Sequence, residues 1–138
     1  MMVQLTNLLP LLTQTMSLLQ NQLEERLDAK HKGFKISSSA WINENGVGVG
    51  SVSCIWDPGG ESVDLTIDLI YKTGLLRIST GIYWSNGRMI KEIAETEIET
   101  LNINKLLSEA EIYFESINQN ALEALLSVLA QQKDEPAG

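Results

Sequence analysis

The sequence predicts an α+β fold: a five-stranded antiparallel meander with an N-terminal and a C-terminal helix packed on one face. Two observations predict it. Apolar residues recur at helical spacing near both ends of the 138-residue chain, and at every second position between residues 34 and 98. The turns between the central segments are too short to hold a crossover helix, so neighbouring strands must run antiparallel. A chain of this length forms one domain with a core of its own.

The first helix is predicted at about residues 6–31. Pro10 has no N–H to donate and belongs in the first turn, with Thr6 or Asn7 as the N-cap. An apolar stripe with steps of three and four residues follows, and such a stripe covers a hydrophobic surface, here the sheet. The stripe consists of Leu5, Leu9, Leu12, Met16, Leu19, Leu23 and Leu27.

Five strands are predicted at about residues 34–98. Two-residue turns at Asn45-Gly46 and Thr73-Gly74, and a three-residue loop at residues 58–60, fix the register and therefore the faces. The predicted core face consists of Phe34, Ile36, Ile42, Val47, Val49, Ile55, Val63, Leu65, Ile67, Leu69, Tyr71, Leu76, Ile78, Ile82 and Trp84. The register of the fifth strand stays open: either Ile82 lies opposite Lys91, or a bulge places Trp84 opposite Ile90.

The opposite face of the sheet is the more informative one for function. The same registers assign to it Trp41, Val52, Cys54, Trp56, Asp64, Thr66, Asp68, Ile70, Arg77 and Tyr83. A face exposed only to water more usually carries Lys, Glu and Thr, whereas aromatic residues are enriched in interfaces. This favours a binding surface, and the alternative is that a loop, the C-terminal tail or a second copy of the chain covers the face.

The last element is predicted as a helix or a helix pair at about residues 104–131, with Asn104 as the N-cap. Its apolar stripe is Leu106, Ala110, Tyr113, Ile117, Ala121, Leu125 and Val128. The run Asn118-Gln119-Asn120 leaves open whether the helix is continuous, and residues 132–138 read as a flexible polar tail.

Charge narrows the class of partner. With 10 Lys and Arg against 18 Asp and Glu, the formal net charge is -8, which argues against nucleic acid and anionic membranes and favours a basic protein partner. Seven of the acids fall within 24 residues: Glu92, Glu95, Glu97, Glu99, Glu109, Glu111 and Glu115. No apolar stretch could span a membrane, and the first residues lack the charged start of a signal peptide, so a cytoplasmic location is expected.

The candidate chemical groups give no catalytic motif, and no cofactor or metal is predicted. One cysteine and one histidine exclude a disulfide framework within the chain and disfavour a zinc site. Asp64 and Asp68 are four residues apart on one strand, roughly 13 Å, too far to share a proton. Cys54 is expected to be an inert thiol and His31 a helix-end residue. The glycines of residues 46–50 are expected to permit a close approach across the outer face or a strong twist.

In layout the chain resembles the small acidic immunity proteins of bacterial toxin–immunity systems, including contact-dependent growth inhibition. The acidic cluster of residues 92–115 and the face with Trp41, Trp56, Asp64, Asp68 and Tyr83 carry the resemblance. It implies a cytoplasmic, non-catalytic protein that binds and neutralises a toxin domain, often a basic nuclease. The predicted docking residues are Trp41, Trp56, Asp64, Asp68, Arg77, Tyr83, Glu92, Glu95 and Glu97.

Two alternatives remain open. The chain also resembles the small acidic chaperones of type III secretion, which pair helices with a sheet and dimerise, so monomer and homodimer are both possible. A small-ligand or catalytic face built on Asp64, Asp68 and Arg77 is the other alternative. A closed pocket in which Asp64 and Arg77 converge would favour it, and a flat open face would favour protein binding.

Overall fold

The structure, a computed structural model, describes residues 4–27, 34–56 and 61–134, with the backbone only for Phe34, Trp56 and residues 132–134. A 3₁₀ turn at Leu5–Leu8 leads into helix α1. The elements are α1 (Leu9–Leu27), β1 (Phe34–Ile42), β2 (Val47–Trp56), β3 (Ser62–Lys72), β4 (Leu75–Trp84), β5 (Met89–Glu99) and α2 (Ile103–Asp134). The strands pair antiparallel in the order β1-β2-β3-β4-β5. The predicted α+β meander with terminal helices is confirmed.

Both helices cover one face of the sheet, called the inner face here, and the core lies between them and it. The core is one continuous cluster of apolar side chains from all three parts. Fully buried members include Leu12, Met16, Leu19 and Leu23 of α1, Leu65, Ile67, Leu69, Leu76, Ile78 and Ile82 of the sheet, and Leu106, Ala110, Ala121 and Leu125 of α2. The opposite, outer face carries neither helix.

The predicted register is correct between β3 and β4, where Leu69 lies opposite Ile78. It is wrong by one residue on each side of β2. Ile42 lies opposite Gly48 rather than Val49, and Cys54 rather than Ile55 lies opposite Val63. The two errors cancel for β1 and β3, which keep their predicted faces.

Strand β2 alone is therefore turned over relative to the prediction. Val52 and Cys54 lie on the inner face, where both are fully buried. Val47, Val49 and Ile55, which were predicted in the core, lie on the outer face.

The turn chemistry explains the difference between β1 and β2, whereas the loop predicted at residues 58–60, between β2 and β3, lies outside the described residues. Thr73 and Gly74 both have positive φ, 51° and 81°, as a two-residue type I′ turn requires. At the other turn Gly46 has φ of 84°, but Asn45 does not have positive φ. Instead the Asn43 side chain accepts hydrogen bonds from the backbone N–H groups of Asn45 and Val47 at 3.0 and 3.1 Å, closing a three-residue loop. The extra loop residue shifts the register by one.

The turn before β5 is also a three-residue loop, because Trp84 N–H donates to the Arg88 carbonyl at 2.8 Å. Of the two open registers, the structure has Ile82 opposite Lys91. The register between β4 and β5 shifts by one residue between Thr80 and Gly81, and again between Ile82 and Tyr83.

Close packing of α1 on β2 depends on a glycine. A Cβ atom on Gly50 would lie 2.8 Å from Leu12 Cδ1 and 2.9 Å from Met16 Cγ. The predicted close approach exists, but α1 makes it on the inner face, not the outer face.

Both helices differ slightly from their predicted bounds. Pro10 is the second residue of α1, as predicted, and the segment after Leu27 that includes His31 lies outside the described residues. Helix α2 is continuous to Asp134, beyond the predicted end at 131. Its cap is Asn102, not Asn104, since Asn102 Oδ1 accepts from the backbone N–H groups of Asn104 and Lys105 at 2.9 and 3.1 Å.

Helix α2 passes through Asn118 without a break because that residue has a partner on α1. Asn118 Nδ2 donates to Gln22 Oε1 at 3.0 Å. Of the polar run that suggested a helix pair, Asn118 thus links the two helices, while Gln119 donates to Glu123 within α2.

Candidate functional site

The outer face brings the predicted docking residues together. Register places Trp41, Asp64, Asp68, Arg77, Tyr83, Glu92, Glu95 and Glu97 on it. The ninth residue, Trp56, pairs with Phe34 in the backbone ladder, and its side chain lies outside the described part of the chain. Two residues predicted on this face, Val52 and Cys54, belong to the core.

Carboxylates run along two strands of the outer face and form what we call the acidic band: Asp64 and Asp68 on β3, and Glu92, Glu95, Glu97 and Glu99 on β5. Strand β4 lies between them, so that Asp68, Ser79 and Glu95 form one cross-strand row. Arg77 contacts Glu97 across β4 and β5 at 3.2 Å, and both side chains are about half exposed, so the pair stabilises the fold little. The band is therefore a net negative surface.

The acidic cluster inferred from the sequence does not form one surface. Its glutamates on β5 lie on the outer face, whereas Glu109, Glu111 and Glu115 belong to α2, in the other layer. Alternation at every second residue, as in Glu95, Glu97 and Glu99, was the signal in the sequence that separates the two groups.

The two aspartates of β3 lie in unfavourable surroundings. Burial raises the pKa of Asp68 above its usual value. Asp64 Oδ1 is shielded from solvent and has no hydrogen-bond partner among the described residues. The Asp68 carboxylate thus carries a desolvation cost and Asp64 an unsatisfied acceptor, and a cationic group of a partner could relieve both.

Tyr83 lies across the acidic band. A Cβ atom on Gly81 would be 3.1 Å from the Tyr83 hydroxyl, so the ring lies over this glycine. Burial raises the pKa of Tyr83, and Asp68 and Glu92 raise it further. The hydroxyl consequently stays protonated at neutral pH and remains a hydrogen-bond donor beside the carboxylates.

An apolar patch at one end of the outer face adjoins the acidic band. We call it the apolar corner; it consists of Trp41, Val47, Val49 and Ile70. Trp41 is 47% exposed and Ile70 50% exposed. Val49 lies directly opposite Asp68, so apolar and acidic side chains meet there. Large exposed aromatic and aliphatic side chains next to charges are typical of interface anchors.

Small hydroxyl side chains fill the middle of the outer face. Ser39, Ser51 and Thr66 form one cross-strand row, and Ser37 lies opposite Ser53 in the next. Because these side chains are short, none of them projects far from the sheet.

The groups suited to catalysis or metal binding do not converge. Asp64 lies opposite Tyr83, which is six residues along β4 from Arg77, or about 20 Å. Burial raises the pKa of Cys54 to about 12, with a further contribution from Asp64, so its thiol is protonated. Within the described ranges, no three His, Cys, Asp or Glu side chains are grouped so that they could hold a metal ion.

Comparison with known proteins gives no relative. No protein-family model, no curated protein and no solved structure matches the chain. Neither described helix is long and apolar enough to cross a membrane.

Proposed function

We propose that this chain is a non-catalytic protein-binding module whose outer face docks a basic protein. Following the layout-level resemblance, we propose further that it is a cytoplasmic immunity protein and that the partner is a cognate toxin domain. The observation that carries the proposal is that the apolar corner and the acidic band share one open face of the sheet.

The size and shape of the outer face suit a protein better than a small ligand. Five strands of about ten residues make a surface of roughly 20 by 30 Å. That is comparable with the roughly 800 Å² that each protein contributes to a standard interface. The separation of Asp64 from Arg77 argues against a convergent small-ligand site on the same face.

The charges of the face favour a basic partner. Six carboxylates form the acidic band, and the one arginine beside them is already paired with Glu97. Complementary charges raise the rate of encounter, while buried apolar anchors such as Trp41 slow dissociation. The two parts of the surface therefore have separable kinetic effects.

The first experiment identifies the partner. The chain is co-expressed with each protein encoded next to its gene, and growth and co-purification are measured. We expect one neighbour to arrest growth alone and to be neutralised by a stoichiometric complex with this chain. If no neighbouring product is toxic or binds, the immunity proposal is wrong.

The second experiment locates the surface with the purified pair. Glu95→Lys with Glu97→Lys should lower the association rate about tenfold at low salt and flatten its salt dependence. The matched control is Glu111→Lys with Glu115→Lys on α2. Each double variant changes the net charge by the same amount, from -8 to -4, but only the first alters the outer face. Stopped-flow fluorescence gives the rates.

Equal effects of the two double variants would mean that total charge, not this face, governs docking. Unchanged association rates for both double variants would mean that the acidic band is not part of the interface. Trp41→Ala provides the complementary measurement, since it should raise the dissociation rate and leave association nearly unchanged. Circular dichroism of each variant checks that it remains folded.

A further inference from the structure

The edge of β5 presents unpaired backbone groups at regular intervals. Thr100 N–H donates to the Gly74 carbonyl at 2.8 Å, which fixes the phase of the ladder. Because backbone groups alternate along an antiparallel strand, those of Ile98 and Thr96 point towards β4. Those of Glu95, Glu97 and Glu99 point away, and no hydrogen bond from another residue of the described ranges reaches them.

The other edge of the sheet, on β1, is partly covered. Gln20 of α1 donates from Nε2 to the Ile36 carbonyl at 3.3 Å and accepts from the Ser38 hydroxyl. The same helix packs along β1. Of the two sheet edges, β5 is thus the one whose backbone groups lack such cover within the described residues.

The side chains beside the β5 edge differ on its two sides. On the outer face the edge residues carry the glutamates of the acidic band. On the inner side a groove of about 380 Å³ runs between β5 and α2, lined by Ile98, Ile112 and Tyr113 among others. Ile112 is 62% exposed there, although it is a large apolar residue in the middle of a helix.

We propose that the partner contributes an extended segment of alternating basic and apolar residues that pairs with β5 as a sixth strand. Its basic side chains would lie beside Glu95, Glu97 and Glu99, and its apolar side chains would enter the groove over Ile112. The inference rests on the proposed protein-binding function and specifies how the partner binds. A second copy of β5 is a poor occupant, because the two rows of glutamates would repel each other.

The probe is the peptide acetyl-Lys-Val-Lys-Val-Lys-Val-Lys-amide added to the full chain. At a peptide concentration about ten times Kd, roughly nine molecules in ten are occupied, so newly bonded amides should exchange about tenfold more slowly. NMR solvent exchange should show this protection at Glu95, Glu97 and Glu99. The already bonded amides of Thr96 and Ile98 should change little.

Three comparisons isolate strand addition from simple charge attraction. The peptide with Glu in place of Lys should not bind, and the Lys-Val peptide N-methylated at its lysines should lose the alternating protection. Ile112→Ala should weaken peptide binding about fivefold because it removes apolar contact. Leu18→Ala, which truncates another exposed apolar helix residue, on α1 (49% exposed against 62% for Ile112), should not.

Equal binding of the N-methylated peptide, or protection without alternation, would overturn the sixth-strand proposal. So would binding that Ile112→Ala leaves unchanged. None of these outcomes would contradict the docking of a toxin on the outer face, which the association rates test separately. Conversely, alternating protection with toxin dissociation that Trp41→Ala leaves unaltered would support the β5 edge site and contradict docking on the apolar corner of the outer face.

Discussion

Asp68 is a single side chain that lowers the stability of the folded protein. It lies in the middle of the sheet between Val49 and Ser79, where burial raises the pKa of its carboxyl group. A partly desolvated carboxylate without an ion pair destabilises the folded state when charged. Residues that a protein retains at the expense of stability are often functional.

Replacing this aspartate should therefore stabilise the free protein. The folded-state pKa lies above the unfolded value of 3.8, so the folded state binds the proton more tightly and stability falls as pH rises through this range. Asp68→Asn should raise the free energy of unfolding at pH 7, by less than about 1 kcal/mol since solvent screens the group. Urea unfolding between pH 3 and 7 measures it.

The gain should vanish below pH 3.8, where the wild-type carboxyl group is neutral in both states. Glu111→Gln, an exposed change on α2, is the control and should leave the free energy of unfolding at pH 7 nearly unchanged. A variant Asp68→Asn that is less stable than wild type at pH 7 would show that the carboxylate is favourable there.

At the level of elements, the packing of α1 against β2 depends on small residues. Gly48 and Gly50 face inward, whereas their valine neighbours Val47 and Val49 face the outer side. The arrangement lets the helix approach the sheet closely, with Leu12 and Met16 filling the space above Gly50.

Gly50→Val should destabilise the fold by about 2–3 kcal/mol, because the added atoms overlap Leu12 and Met16. Ser51→Val is the control: it adds a similar side chain at the next position but towards the open face, and should cost much less. Thermal unfolding measures both. Leu12→Ala is itself costly because Leu12 is fully buried, but the double variant Gly50→Val with Leu12→Ala should lose less stability than the sum of the two single variants. Additive losses would mean that the strain lies in the backbone.

Strand β2 also shows which parts of the fold can be predicted from the sequence and which cannot. Periodicity predicts both helices and all five strands, because it reflects which side of each element meets the core. It fails for β2, where Val47 and Val49 face outward and Gly48 and Gly50 face inward. The turn signal also fails there, since Asn-Gly serves both a two-residue turn and a three-residue loop. The hydrogen bonds that Asn43 Oδ1 accepts from the backbone of Asn45 and Val47 distinguish the two.

The residues of the candidate site were also only partly predictable from the sequence. Composition identified the acidic and aromatic residues, and correct parity for β1, β3 and β4 put Trp41, Asp68 and Arg77 on one face. Whether the glutamates of β5 lie on the same face depends on the bulged pairing near Gly81, which cannot be predicted from the local sequence. The free backbone groups of the β5 edge likewise follow from strand order and hydrogen-bond phase.

The whole molecule has two layers with different surfaces. The helical layer shields the core, while the open layer exposes the acidic band, the apolar corner and the β5 edge. Two copies meeting face to face would oppose carboxylate to carboxylate, as would two copies meeting edge to edge. The distribution of charge therefore disfavours self-association through either surface.

We expect the free chain to sediment as a monomer of 15.3 kDa at physiological salt. This separates the immunity proposal from the secretion-chaperone alternative, which requires a dimer. Analytical ultracentrifugation over a range of protein concentrations measures it. A stable species of twice the mass would favour the chaperone alternative, and its persistence at low salt would show that charge repulsion does not govern assembly.

The hydroxyl-rich middle of the outer face affects how far a partner protein could diverge in sequence and still bind this chain. Short hydroxyl side chains such as Ser39, Ser51 and Thr66 can each donate and accept hydrogen bonds, and groups of this kind can bind bridging water. A partner whose surface fits imperfectly there can keep that water as a bridge instead of losing affinity. The middle of the interface would then tolerate sequence drift in the partner, while the apolar corner and the acidic band preserve recognition.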